Sequence, residues 1–171
     1  MKKIIMTIFL CFVSILLTSC FKKSSNKPID NLKKLIKALD NKDSQSVKSF
    51  FCKKTINENS NFDEQISGLL SYYEGTMKSY TESSPAEYYD TNNGKKAKWY
   101  HYSNDITTDK NVYRLSIEWY VENTFDNETL GITSLYIIKW DDNYDNNIYY
   151  WGDGKYTSGI NVGISNKDSS E

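Results

Sequence analysis

The sequence is poor in the residues that most often carry chemistry. It has one histidine, His101, and three cysteines, of which Cys11 and Cys20 lie within the first 20 residues. Only Cys52 remains for the body of the chain, so no intramolecular disulfide can form there, and a fold without that covalent link must rely on its apolar core. Cys52 follows Phe50-Phe51 in a segment read as helical, where it serves as a small buried hydrophobe. A zinc site needs three or four clustered Cys, His or carboxylate ligands, and no such spacing is present. Nor is there an excess of positive charge. With 21 basic and 22 acidic residues overall, nothing favours nucleic acid or a polybasic contact with a membrane. No internal repeat is found, and no cofactor motif.

What is present begins at the N-terminus. Lys2-Lys3 is followed by an apolar run from Ile4 to Leu17 and then by Thr18-Ser19-Cys20. A basic start, a short apolar core and small residues before a cleavage point are the three regions of a secretory signal peptide. The run is shorter than the roughly 20 apolar residues a transmembrane helix needs. Leu17-Thr18-Ser19-Cys20 resembles the lipobox of bacterial lipoproteins. That resemblance implies removal of residues 1–19, a diacylglyceryl group on Cys20, and a protein held on the extracytoplasmic side of the cell membrane. The mature chain would then have 152 residues and a balance of about −3, enough for one domain. Residues 20–27 read as a polar tether, 28–164 as the domain and 165–171 as a disordered tail.

The domain opens with helical periodicity. Pro28 suits a first helical turn, and Leu32, Leu35, Ile36 and Leu39 form one stripe, which Asp40-Asn41-Lys42 ends. Asp43 reads as the N-cap of a second helix that buries Val47, Phe50 and Phe51. Asn61 and Glu64 have the form of a capping box ahead of Phe62, Ile66, Leu69, Leu70 and Tyr73, with Gly75 as a C′ residue. Three helices are expected.

Beyond Gly75 the period changes to 2. Strands are expected over Met77 to Glu82, Lys95 to Ile106 after an Asn92-Asn93-Gly94 turn, Val112 to Asn123, and Ile132 to Trp140. Short strands are allowed near Ile148 to Trp151 and Ile160 to Ile164. In Val112 to Asn123, residues Tyr113, Leu115, Ile117, Trp119 and Val121 should face a core, and Arg114, Ser116, Glu118, Tyr120 and Glu122 solvent. Arg114 and Glu118 lie about 13 Å apart along the strand at roughly 3.3 Å per residue, so each needs a cross-strand partner. His101 shares a face with Trp99, opposite Tyr100 and Tyr102, and the sequence leaves open which face is inward.

Helices followed by antiparallel strands make an α+β pattern, with helices covering one sheet face. The three-helix opening, the long strand Val112 to Asn123 and Gly131-Ile132-Thr133-Ser134-Leu135 leading into the next strand resemble the NTF2-like (cystatin-like) superfamily. With the lipobox, the order resembles the DUF5104 type of small bacterial lipoproteins over residues 29–164. The resemblance implies a cone of helices on a curved antiparallel sheet, with a pocket lined by Tyr73, Tyr113, Ile117, Trp119 and Leu135. A filled core is the other reading of those side chains.

Other constellations point to chemistry only loosely. Glu118 and Tyr120 have the residue types of an acid/base pair but lie on the polar face of their strand. Asp141 to Asn146 opens like a calcium loop, but Asn146 stands where the tight-turn glycine belongs and Gly152 where the closing glutamate belongs, so it reads as a solvated turn. Fourteen tyrosines, clustered at Tyr72-Tyr73, Tyr88-Tyr89 and Tyr149-Tyr150-Trp151, offer rigid amphipathic area and also fit strand formation. The leading expectation is a non-enzymatic, lipid-anchored domain that binds a small apolar ligand or a protein partner. An enzyme with an NTF2-like pocket and a glycan- or cell-wall-binding surface module are the alternatives.

Overall fold

A computed structural model describes residues 28–81, 83–142 and 159–163. The signal segment, Cys20 and the tether, the strand expected near Ile148 to Trp151, most of the Asp141 to Asn146 loop and the tail lie outside the described residues. Four helices open the domain: α1 (Pro28–Asp40), α2 (Ser44–Lys48), α3 (Lys53–Glu58) and α4 (Phe62–Tyr72). Strands β1 (Met77–Tyr80), β2 (Ala86–Asn92), β3 (Lys95–Thr108), β4 (Val112–Asn123), β5 (Gly131–Lys139) and β6 (Ile160–Val162) follow. They form one antiparallel sheet in the order β1-β3-β4-β5-β6. β2 also pairs with β3, so β1 and β2 share its free edge, β1 at the Ile106–Thr108 end and β2 along Lys95 to His101. The α+β class read from the sequence holds.

Helix α1 buries Leu32, Leu35, Ile36 and Leu39 completely, while Lys33, Lys34 and Lys37 stay exposed, as its 3.6-residue period requires. Helix α4 adds Phe62, Ile66 and Leu69, and both helices pack on the sheet face that carries Tyr113, Leu115, Ile117 and Trp119. Lys42 closes the C-terminal end of α4 by donating to the carbonyls of Leu70, at 2.6 Å, and Tyr73.

Where three helices were expected there are four, because the backbone between Val47 and Lys53 is claimed by the sheet. Cys52 N–H donates to the Ile132 carbonyl at 2.9 Å and Ile132 N–H to Phe50 at 2.8 Å, which ends α2 and forms an isolated bridge at Phe51. Cys52 is therefore not a mid-helix residue. It is buried at the N-cap of α3, where its Sγ accepts from the Thr55 N–H. Gly131 makes this junction possible: its φ is +124°, and a Cβ there would lie 2.9 Å from both Cys52 N and Phe50 O. The Asn61 capping box does not form; the Asn61 side chain accepts instead from Gln65 Nε2 at 3.0 Å.

The sheet also departs from the sequence reading. β2 was not expected at all, although the turn joining it to β3 was: Asn93 and Gly94 both have positive φ, as a two-residue hairpin turn of mirror type requires. β1 stops at Tyr80, and β3 runs on to Thr108. β4 has the expected bounds, but two bulges interrupt its partners. Val121 is an extra residue between the pairs Trp99–Tyr120 and Lys98–Glu122, and it is exposed rather than in the core. Thr133 is the extra residue of β5 between the pairs Glu118–Ser134 and Trp119–Ile132. Such bulges bend a strand and strengthen its twist.

Candidate functional site

The sheet face turned away from the helices is not the plain solvated surface that alternation suggests. Cross-strand register arranges it in rows. One row runs Tyr88–Trp99–Tyr120 across β2, β3 and β4; the next holds Ala86, His101 and Glu118; then come Ser103 and Ser116, and after them Asp105 and Arg114.

In the first row the rings stand face to face. Tyr88 and Trp99 centroids are 5.6 Å apart and Trp99 and Tyr120 5.2 Å, with planes within 13° and 15° of parallel. Tyr88 also lies 4.5 Å from the His101 ring. Burial pushes the Tyr120 phenol above the usual tyrosine range, and the carboxylates of Glu118 and Asp90 add to the effect. It remains an O–H group at any physiological pH.

The second row holds the charged pair. His101 Nε2–H donates to Glu118 Oε2 at 2.8 Å, while the Thr133 hydroxyl donates to Glu118 Oε1 at 2.6 Å. Both side chains of the pair are more than two-thirds buried, at 29 % and 26 % exposure. The bulge at Thr133 brings that hydroxyl across to Glu118, so the backbone irregularity and the carboxylate belong to one arrangement. Arg114, expected to need a cross-strand partner, finds Asp105 at 3.0 Å and lays its guanidinium 4.2 Å from the centre of the Trp140 ring.

Between these rows the side chains are small, and a cleft of about 610 Å³ opens. Ser103 and Ser116 line it together with Tyr88 and His101. The connection between β1 and β2 supplies the rim through Ser83 and Ser84. That connection is fixed to β3, since Asn104 Nδ2 donates to the Thr81 carbonyl and to Ser83 Oγ, and Ser83 Oγ donates to the Ser103 carbonyl at 3.1 Å. Ser116, expected to be exposed, is 3 % exposed.

The five residues expected to line a pocket are brought together, but on the other face. Tyr73, Tyr113, Ile117 and Leu135 are fully buried and Trp119 is 7 % exposed, all within the hydrophobic core. None of them lines the cleft. Among the described residues, no three His, Cys, Asp or Glu side chains cluster as metal ligands, and no helix is long and apolar enough to cross a membrane.

Sequence reasoning named Glu118 together with Tyr120, and His101 apart from them, and missed that His101 meets Glu118. The missing signal was the register between β3 and β4, which opposes His101 to Glu118.

The model of a family described as a domain of unknown function, DUF5104, matches residues 34–140. The chain belongs to the DUF5104 family. The matched span runs from α1 through β5 and contains every cleft residue named above, together with Thr133 and the aromatic row. The cleft is thus part of the DUF5104 domain rather than of an appended segment. No curated protein matches the chain.

Proposed function

We propose that this DUF5104 chain is a non-enzymatic domain, anchored through a diacylglyceryl group on Cys20 to the extracytoplasmic side of a bacterial membrane, which binds a small ligand in the cleft on the open sheet face. The fold is read as an NTF2-like cone, supported by the opening helices and by two bulges that bend β4 and β5 around them. The observation that carries the binding reading is the cleft itself. Its volume of about 610 Å³ falls within the range of small-molecule sites, roughly 300–1,000 Å³, and it joins an aromatic wall to a few polar groups.

Mass spectrometry under native conditions, on protein purified from membranes, tests the reading. The wild type is expected to retain a small molecule that Ser103→Leu, which fills the cleft floor, does not. The hydrogen-bonded His101–Glu118 pair favours a second reading, an enzyme in which the pair moves a proton. A retained molecule that changes mass with time, and does so no longer in Glu118→Gln, would establish that second reading in place of the first.

Anchoring is tested apart from the cleft. Two acyl chains suffice for stable attachment at about 0.8 kcal/mol per buried CH₂. Cys20→Ala is therefore expected to release the domain from the membrane fraction or to leave an unprocessed precursor. A cleaved, unlipidated Cys20→Ala protein that stays with the membrane would overturn the anchor.

A further inference from the structure

We infer that the ligand of the cleft is a neutral sugar ring, stacked against Tyr88 with its hydroxyl groups over the Ser103–Ser116 pair; this rests on the binding reading above and names its ligand class. Three observations carry it.

The first is a pair of hydroxyls without internal partners. Ser103 and Ser116 oppose each other in the β3–β4 register and both line the cleft. Among the described residues neither hydroxyl has a hydrogen-bond partner, although Ser116 is 97 % buried, or 3 % exposed. Ser116 is buried and Ser103 half-buried, and both line the cleft with hydroxyls that no described protein group engages, so they can bond a polar occupant above them. A serine hydroxyl rotates and both donates and accepts, which suits a ligand whose own groups are hydroxyls.

The second is charge. Among the described residues no lysine or arginine lines the cleft, and Arg114, one row away, is already held by Asp105. Glu118 lies beside the cleft, bonded to the lining His101, and its negative charge there disfavours an anionic ligand.

The third is shape. Tyr88 is 42 % exposed on the edge strand, and its ring is fixed from one side by Trp99 and from another by His101. A rigid ring of this kind presents apolar area at little entropic cost, and the C–H face of a pyranose is the complementary surface.

The test is calorimetric titration of the full chain in a sugar-free detergent with cellobiose and chitobiose, and with adenosine and glucose 6-phosphate as comparisons. Either neutral disaccharide is expected to bind, with a dissociation constant on the order of micromolar to millimolar. Glucose 6-phosphate and adenosine should not bind. Tyr88→Ala, an exposed position that leaves the core intact, should weaken the disaccharide about tenfold or more, and Ser116→Val should do the same by filling the floor. Unchanged affinity in Tyr88→Ala would overturn the placement. Binding of adenosine in a Tyr88-dependent way without either disaccharide would overturn the sugar and leave the cleft reading standing. If no probe binds and no molecule is retained on native purification, both fall.

Discussion

Truncating Tyr113 to alanine is expected to destabilise the domain by about 5 kcal/mol, since emptying a buried aromatic site costs roughly 3–5 kcal/mol and each backbone group left unpaired adds about 1–3 kcal/mol. Tyr113 is fully buried near the start of β4 on the helix-covered face, stacked on Tyr73 at 5.2 Å. Its hydroxyl joins three elements: it accepts from the Glu74 N–H at 2.7 Å and from Asn111 Nδ2 at 3.2 Å, and donates to the Tyr72 carbonyl at 3.0 Å. Those bonds hold the chain where α4 turns into β1. Tyr113→Phe keeps the ring and loses the bonds, and should cost about 1–3 kcal/mol. Denaturant unfolding of both variants separates the two contributions. A Tyr113→Phe variant as unstable as Tyr113→Ala would mean that the hydroxyl network, rather than the buried ring, holds this corner.

The parts of the fold that were legible are those in which one side chain pattern faces one environment. Leu32, Leu35, Ile36 and Leu39 mark α1 because all four are buried against the same core. The strand Val112–Asn123 was exact in its bounds because Tyr113, Leu115, Ile117 and Trp119 alternate with polar residues. β2 was invisible for the opposite reason: all seven of its residues are exposed, so it has no apolar pattern, and its place is fixed by backbone pairing to β3. The break between α2 and α3 was hidden too, because a backbone bridge to Ile132, about 80 residues on, leaves no local trace.

The candidate site was less legible than the fold, and the reason is physical. Alternation says which residues share a face, and it placed Trp99 with His101 and Ser116 with Glu118 correctly. It does not say which residues of neighbouring strands stand opposite one another. That depends on register, and here register is altered by single extra residues at Val121 and Thr133. Polar residues on a strand were taken to mean solvent, whereas Ser116 lines a cleft and Glu118 is bonded to His101 and Thr133. The aromatic row shows the same limit: Tyr88, Trp99 and Tyr120 come from three strands, and only their pairing makes them a stack.

Ile117→Ala and Glu118→Ala together test how far that open face differs from both core and surface. Ile117 is fully buried opposite Leu135 and Tyr102, and its truncation should cost roughly 2–5 kcal/mol through lost burial and a residual cavity. Glu118 is not a free surface carboxylate, for which a change would stay within about 0.5 kcal/mol. Its loss removes the acceptor for both His101 and Thr133. The cleft beside them admits water to the freed donors, so the cost should be about 1–2 kcal/mol, between surface and core. A double-mutant cycle with His101→Ala should return a coupling of at least about 0.5 kcal/mol, as residues joined by a hydrogen bond do. Denaturant unfolding measures the four variants and the wild type on one scale. A Glu118→Ala variant as damaged as Ile117→Ala would mean that the carboxylate is shielded from water even in the folded cleft. A shielded His–Glu pair beside a ligand site is an arrangement that can serve proton transfer, and on that result the enzyme reading gains weight, to be decided by the Glu118→Gln turnover test.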